Sequence, residues 1–281
     1  MYRELYRFGG VTFALESDAP LERSPVCEAF RVPDGVPDHT ICLRFSDALP
    51  TPPADALRRD DVFRWQAGAQ RHLLQWVSAP GDIPHFTYAV THGAHTDVIF
   101  ASAYRTGASV STALEAVGLF DVFAARGMLV LHSAYIVTSA GEAILFSGPS
   151  GVGKSTQAAL WERCAGARVV NGDRALVDVG KKTANGIFYA GTSGISENVT
   201  APVRAIVLLG QGSENRVFVP SPQAAFAGVL SQCAYYEWDA RSAEQMTECV
   251  ARLVSDVPVL RMDCLPNATA VEALHDQLGG I

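Results

Sequence analysis

The chain has 281 residues, 48% hydrophobic and 18% charged, the make-up of a globular protein with one large or two modest domains, which excludes collagen-like and disordered classes. Its 22 Lys and Arg against 29 Asp and Glu leave a net charge of −7 with no long basic run, so binding driven by nucleic-acid phosphates is not expected. No stretch reaches the roughly 18 uninterrupted apolar residues of a membrane span, and six scattered cysteines, Cys27, Cys42, Cys164, Cys233, Cys249 and Cys264, form no C-x-x-C pair.

The opening, MYRELYRFGG, lacks the charged, apolar, small-residue order of a secretory signal, so a cytoplasmic protein with reduced thiols and no membrane partner is expected. The sequons at Asn198 and Asn267 carry no weight without a secretory context.

Residues 1–106 read as a β-rich region. Ile41, Leu43 and Phe45 alternate with polar neighbours, as do Phe63 and Trp65; Phe86, Tyr88 and Val90 follow, then Val98-Ile99-Phe100. Alternation with period two marks half-buried strands. Leu49-Pro50-Thr51-Pro52-Pro53 and Ala79-Pro80-Gly81-Asp82 separate them as turns, and antiparallel connections are expected. His92 and His95 fall where a loop leads into a strand, with no third ligand in view. They are read as solvent-exposed histidines rather than metal ligands.

From residue 107 to 281 helix and strand signals alternate. Thr112 with Glu115 three residues on predicts a capping box, followed by one helical face of Ala116, Leu119, Phe120 and Phe123 that stops at Gly127. Ala134 to Thr138 and Ala143 to Phe146 read as strands joined by the tight turn Ser139-Ala140-Gly141-Glu142. Helices are expected over Thr156 to Cys164, Gln223 to Cys233 and Ser242 to Val254, and strands over Ala167 to Val170, Ala205 to Leu209 and Val257 to Met262. Asn267 is the expected N-cap of a closing helix, Ala268 to Leu278. Tyr235, Tyr236 and Trp238 fall late in a predicted helix and read as packing, with an adenine platform as the rival reading. The fold class is α/β around a mixed sheet, α+β over the whole chain.

The run Gly148-Pro149-Ser150-Gly151-Val152-Gly153-Lys154-Ser155, followed by Thr156, satisfies G-x-x-x-x-G-K-[ST] between an apolar strand and a helix. Glycines let successive backbone N–H groups turn inward into an anion nest, and the helix adds the positive end of its dipole. In that reading residues 148–156 bind nucleotide, Lys154 reaches the β- and γ-phosphates of ATP, and the Ser155 hydroxyl takes a Mg²⁺ position. The chance glycine-rich turn is the rival.

A strand joined to the loop-feeding strand by a four-residue turn is unusual for a parallel-sheet NTPase. Here the chain resembles the HPr kinase/phosphoenolpyruvate carboxykinase-like P-loop superfamily, in particular its stand-alone HPr-kinase-related serine kinases. The resemblance rests on Leu131-His132-Ser133-Ala134, the loop with its flanks from Leu145 to Thr156, Val170-Asn171-Gly172-Asp173-Arg174, and Gly191 to Asn198 leading into Val203 to Leu209. It covers about Gly127 to the C-terminus and implies a P-loop kinase core with a mixed sheet of that type; the β-rich region matches no motif and is expected to present the acceptor.

Asp173 follows an apolar strand, where a carboxylate can face a metal; the plain alternative is a turn aspartate in Asn171-Gly172-Asp173. In HPr kinases this place carries two adjacent aspartates, one for metal and one for the base. Gly172 stands where the first would be, so metal binding, proton acceptance or both fall to Asp173. The resemblance aligns His132 with a histidine near the active site, making it a second proton acceptor, against the reading of a satisfied core histidine. Ser193, Ser196 and Glu197 lie in a loop that lines the site in that family or is an ordinary connector; Asn198 and Arg204 are further candidates.

The expected function is an ATP- and Mg²⁺-dependent kinase acting on a serine-type hydroxyl of a peptide or protein. The alternatives are a nucleotide sensor without transfer and an NTP hydrolase. HPr kinases form hexamers, so a homo-oligomer stays open.

Overall fold

A computed structural model describes residues 1–48, 50–77 and 85–279. The chain is mixed α/β and forms two compact units, Met1–Leu119 and Phe120–Ile281. The sequence reading divides it after residue 106. Residues 108–110 belong with the first unit because Glu22 N donates to Ala108 O at 2.9 Å and Val110 N to Glu22 O at 3.1 Å.

In the first unit the elements are β1 (Tyr2–Phe8), β2 (Val11–Ser17), α1 (Pro25–Glu28), β3 (Arg31–Val32), β4 (His39–Phe45), β5 (Leu57–Arg59), β6 (Val62–Ala67), β7 (Gln70–Val77), β8 (His85–His92), β9 (His95–Phe100) and α2 (Val110–Glu115). The strands make one nine-stranded sheet in the order β3-β1-β2-β4-β9-β8-β7-β6-β5. The alternating runs sit in β4, β6, β8 and β9, as the pattern predicts. The expectation of antiparallel connections needs correction at β4, which pairs parallel with both β2 and β9. The segment between β2 and β4 crosses over instead of turning back, which permits the parallel pairing. The turn read at Ala79 to Asp82, and Leu49 of the proline-rich turn, lie outside the described residues.

The single helix expected from Thr112 to Gly127 is two. Ser109 caps α2, accepting from Thr112 N at 3.2 Å while Thr112 Oγ1 accepts from Ser109 N at 2.9 Å. Gly118 then adopts φ +67°, which breaks the helix before α3 (Leu119–Ala124). The capping box is therefore three residues upstream of the predicted one.

The second unit continues with β10 (Met128–Val137), β11 (Ala143–Ser147), α4 (Lys154–Ala165), β12 (Arg168–Asn171), β13 (Arg174–Asp178), β14 (Thr183–Asn185), β15 (Thr200–Gln211), β16 (Arg216–Phe218), α5 (Pro222–Leu230), α6 (Ala240–Asp256), β17 (Val259–Cys264) and α7 (Ala268–Gln277). β10 and β11 form the predicted hairpin, and β11, β15 and β17 run parallel to one another. Because β11 also pairs with β15, the order β11-β10-β13-β14-β15 closes into a five-strand ring.

Apolar residues fill both faces of these strands. Ile144 and Phe146 pack with Trp161 of α4 and Leu274 of α7, whereas Ala143 and Leu145 pack with Val229 of α5 and Leu253 of α6. A strand covered by helices on both sides has no polar face, which is why its sequence reads as a continuous apolar run.

Tyr235, Tyr236 and Trp238 lie between α5 and α6, not within a helix, because α5 ends at Leu230. Asn267 precedes α7, yet its side chain does not cap it: Oδ1 accepts from Asn215 Nδ2 at 2.9 Å and from Thr269 Oγ1 at 2.9 Å. Among the described residues no helix is long and apolar enough to cross a membrane.

Candidate functional site

The glycine-rich loop occupies the space between β11 and α4. Gly148, Gly151 and Gly153 take φ of +145°, +78° and +112°, conformations that L side chains rarely adopt. Gly148 is also close-packed: a Cβ there would lie 3.1 Å from Val152 Cγ1 and 3.3 Å from Leu209 O. At Gly151 and Gly153 nothing lies within 4 Å of an added Cβ. The loop faces open space at those two positions, so conformation and not crowding selects glycine.

The N-terminus of α4 has no side-chain cap. Its first amides, at Lys154 to Thr156, lack intrahelical acceptors in any α-helix. Gln157 N, bonded to Gly153 O at 2.9 Å, is the first with one. Lys154 is buried, and its Nζ donates to Gly148 O at 2.9 Å and Pro149 O at 3.1 Å. Burial pushes its pKa down, while the Asp173 carboxylate pulls it back up. The ammonium thus staples the loop to the helix that follows. Ser150 and Val152 flank the loop's turn, and Ser155 and Thr156 are exposed on the first turn of α4.

Next to β11 runs β10, which pairs with β13 as far as His132 and with β11 from Ser133. His132 sits at this exchange of partners. Its carbonyl accepts from Ser147 Oγ at 2.8 Å, and Ser133 N donates to Asp173 O at 2.9 Å. The β10–β11–β13 junction therefore brings His132 and Asp173 beside the end of the strand that feeds the loop. His132 Nε2 stands 3.5 Å from Asp173 Oδ1, and Arg174 Nε 3.3 Å from Asp173 Oδ2. The His132 imidazole, foremost, and the Arg174 guanidinium hold Asp173 below the ordinary carboxylate range, against the upward push of partial burial.

The turn Asn171-Gly172-Asp173 is organised by a residue to which the sequence reading assigned no separate role. Buried Asn171 accepts through Oδ1 from Asp173 N and Arg174 N, both at 2.9 Å, and donates through Nδ2 to Ile187 O at 2.7 Å. An Asn two residues before a turn carboxylate is the signal for such a side-chain-to-backbone turn. Against it lies the segment Gly191–Ser196. A Cβ at Gly191 would come within 2.8 Å of Asp173 Cβ, and one at Gly172 would overlap Ser193 Oγ. Position 172 has no room for a second carboxylate while Ser193 stands there.

Ser193 donates to Ala190 O and Ser196 to Ile187 O, each at 2.7 Å, and Glu197 pairs with Arg168 at 2.6 Å. These three side chains shape the loop. Asn198 is exposed. Arg204 pairs with Glu142 at 3.7 Å and donates to Leu278 O, contacts that belong to the far end of β11. His92 and His95 face each other as a cross-strand pair at the end of the β8–β9 hairpin, on strand ends and not in a loop. His95 lies 3.4 Å from Asp97. Tyr235 packs against the core between the sheet and α5 and α6.

Among the described residues no group of three or more His, Cys, Asp and Glu could hold a metal. Ser155 and Asp173 supply a hydroxyl and a carboxylate. Oxygen donors in small number suit Mg²⁺, which keeps several waters and takes its other ligands from substrate phosphates. No protein-family model matches the chain, and no curated protein matches it either.

Proposed function

We infer that the second unit is a P-loop kinase core of the HPr kinase/phosphoenolpyruvate carboxykinase type, and that the protein transfers the γ-phosphoryl group of ATP to a serine-type hydroxyl of a peptide or protein. The observation that carries this reading is the placement of the His132–Asp173 pair one strand away from the uncapped loop-helix junction that holds Lys154. A polyphosphate needs inward amides and a cation; a hydroxyl acceptor needs a proton acceptor beside it. Both halves are available from adjacent strands.

In this account the backbone amides of residues 150–155 and the Lys154 ammonium bind the phosphates. The acceptor oxygen bonds to the γ-phosphorus as its proton passes to Asp173 or His132, and the bond from that phosphorus to the β–γ bridging oxygen breaks, releasing ADP. Ser155 and Asp173 are the side chains that would hold Mg²⁺, which supplies neutralisation of phosphate charge. Asn171 fixes the backbone that carries Asp173.

A second reading, a nucleotide sensor without transfer, draws support from the single carboxylate at the turn, since position 172 is occupied by glycine under Ser193. Water in place of the acceptor would make the protein a hydrolase. Labelled ATP incubated with serine peptides separates the three. Label is expected on peptide, to fall about 10²- to 10⁴-fold in Asp173→Asn, the usual worth of general base catalysis. Nucleotide binding with label nowhere but in ATP would establish the sensor; label released only as phosphate, the hydrolase.

A further inference from the structure

Beyond Asp173, on the side away from the glycine-rich loop, the site runs into a row of aromatic rings. The strands present Ser147 at the end of β11, His132 on β10 and Arg174 at the start of β13 in that spatial order, because Ser133 pairs with Ser147 and His132 with Arg174. The Arg174 guanidinium contacts Asp173 on one side and lies 5.4 Å from the centre of the Tyr189 ring on the other. Tyr189 is 5.9 Å from Phe120, Phe120 is 6.4 Å from Tyr236, and Tyr236 is 5.9 Å from Trp238. All four rings are half-buried, so each keeps part of its surface in solvent. Ile195, on the loop packed against Gly172 and Asp173, is 40% exposed.

We propose that this aromatic row selects the acceptor: it takes a phenylalanine-like or large aliphatic side chain two residues from the phosphorylated serine of an extended peptide. The proposal rests on the kinase reading of the neighbouring site and narrows its substrate class. Two constraints assign the row to the acceptor instead of the nucleobase. The base of a nucleoside triphosphate hangs from the α-phosphate, at the opposite end of the polyphosphate from the transferred group. The acceptor hydroxyl, by contrast, must meet the γ-phosphorus on the side away from the leaving group, with its proton facing the base. A surface that begins just past Asp173, across from the loop, flanks the incoming hydroxyl.

The spacing points to the position. Residues i and i+2 of an extended chain project to the same side, separated by about 6.5–7 Å. Arg174 spans the gap, its Nε 3.3 Å from Asp173 Oδ2 and its guanidinium carbon 5.4 Å from the centre of the Tyr189 ring, a reach that a large side chain two positions from a serine at Asp173 can cover. Offset and edge-on aromatic contacts favour such a side chain, and the Arg174 cation on the Tyr189 face keeps the row's inner end polar enough for a peptide backbone.

The test uses the full chain, saturated with Mg²⁺ and a non-hydrolysable ATP analogue, and two heptapeptides with a central serine and alanines elsewhere, one with phenylalanine at both i−2 and i+2 and one with glycine there. Binding is read by calorimetry. The phenylalanine peptide is expected to bind about tenfold more tightly, the equivalent of roughly 1.4 kcal/mol. That preference should be lost in Tyr189→Ala and Phe120→Ala and retained in the conservative Tyr189→Phe, with analogue affinity unchanged in all three. Equal binding of the two peptides overturns the proposal, as does loss of analogue affinity with peptide preference intact, which would make the row a base platform. Because the readout is binding, the kinase reading fails separately: a preference that depends on the aromatic row with no phosphate ever reaching the serine keeps the recognition surface and discards the transfer.

Discussion

Asp173 is a proposed proton acceptor and metal ligand of the candidate site. Its carboxylate is shared by His132 at 3.5 Å and Arg174 at 3.3 Å, and its pKa is depressed. The sign of the resulting pH effect follows. A carboxyl with a lower pKa in the folded than in the unfolded state adds stability that is present above its unfolded value, near 4, and is lost as pH falls through the folded one. Urea midpoints for the native chain and Asp173→Asn should therefore differ at pH 7 and converge as the pH drops below about 4; a gap that widens on acidification would show that the carboxylate is not stabilised by its neighbours. The sequence made Lys154 visible through a local pattern with a mechanism behind it, whereas Asp173 and His132 stand out chiefly through the family resemblance. It did not expose Tyr189 or the packing of Ser193 over Gly172, which reach the turn from a distant loop; Arg174, the sequence neighbour of Asp173, pairs with its carboxylate without any motif that marks the contact.

At the scale of elements, the loop from β11 to α4 imposes backbone conformations that its glycines alone satisfy cheaply. Gly153→Ala adds a Cβ into open space but demands a left-handed φ, so a loss of about 1–2 kcal/mol is expected. Gly148→Ala should cost more, because its Cβ also presses on Leu209 O and Val152. Equal urea midpoints for both variants and the native chain would contradict the conformational account. The same physics explains which elements could be read. The β10–β11 hairpin, α4 and the closing helix announce themselves through turn residues and period. β2 does not: nearly every residue in it is buried, so alternation disappears. β13 and β14 are short strands that pair with each other, while their outer partners, β10 and β15, come from further away in the chain. The break between α2 and α3 turns on the φ of Gly118, which an apolar helical face conceals.

Over the whole molecule, the thiols report on folding. Cys27 is buried and its thiol is pushed up to about 12 by desolvation, Cys42 to about 11 by desolvation and Glu16; burial also raises Cys233, Cys249 and Cys264. Cys164 alone among the six is exposed. Thiolate is the reactive form, so a neutral-pH alkylating agent should modify Cys164 first, the part-buried thiols more slowly, and buried Cys27 and Cys249 only as the chain opens. Rapid labelling of Cys27 or Cys233 under native conditions would contradict the packing. The closed five-strand ring, by contrast, had no local signature, because closure depends on β11 meeting β15. In the proposed function the glycine-rich loop and the Lys154 ammonium hold a polyphosphate. Calorimetric titration of Mg²⁺–ATP into the full chain is the most direct test. Saturable heat at one nucleotide per chain is predicted, with affinity lowered roughly 10- to 100-fold in Lys154→Ala, the worth of a charged hydrogen bond. Absence of heat with the native chain, or equal affinity in the variant, would contradict the account.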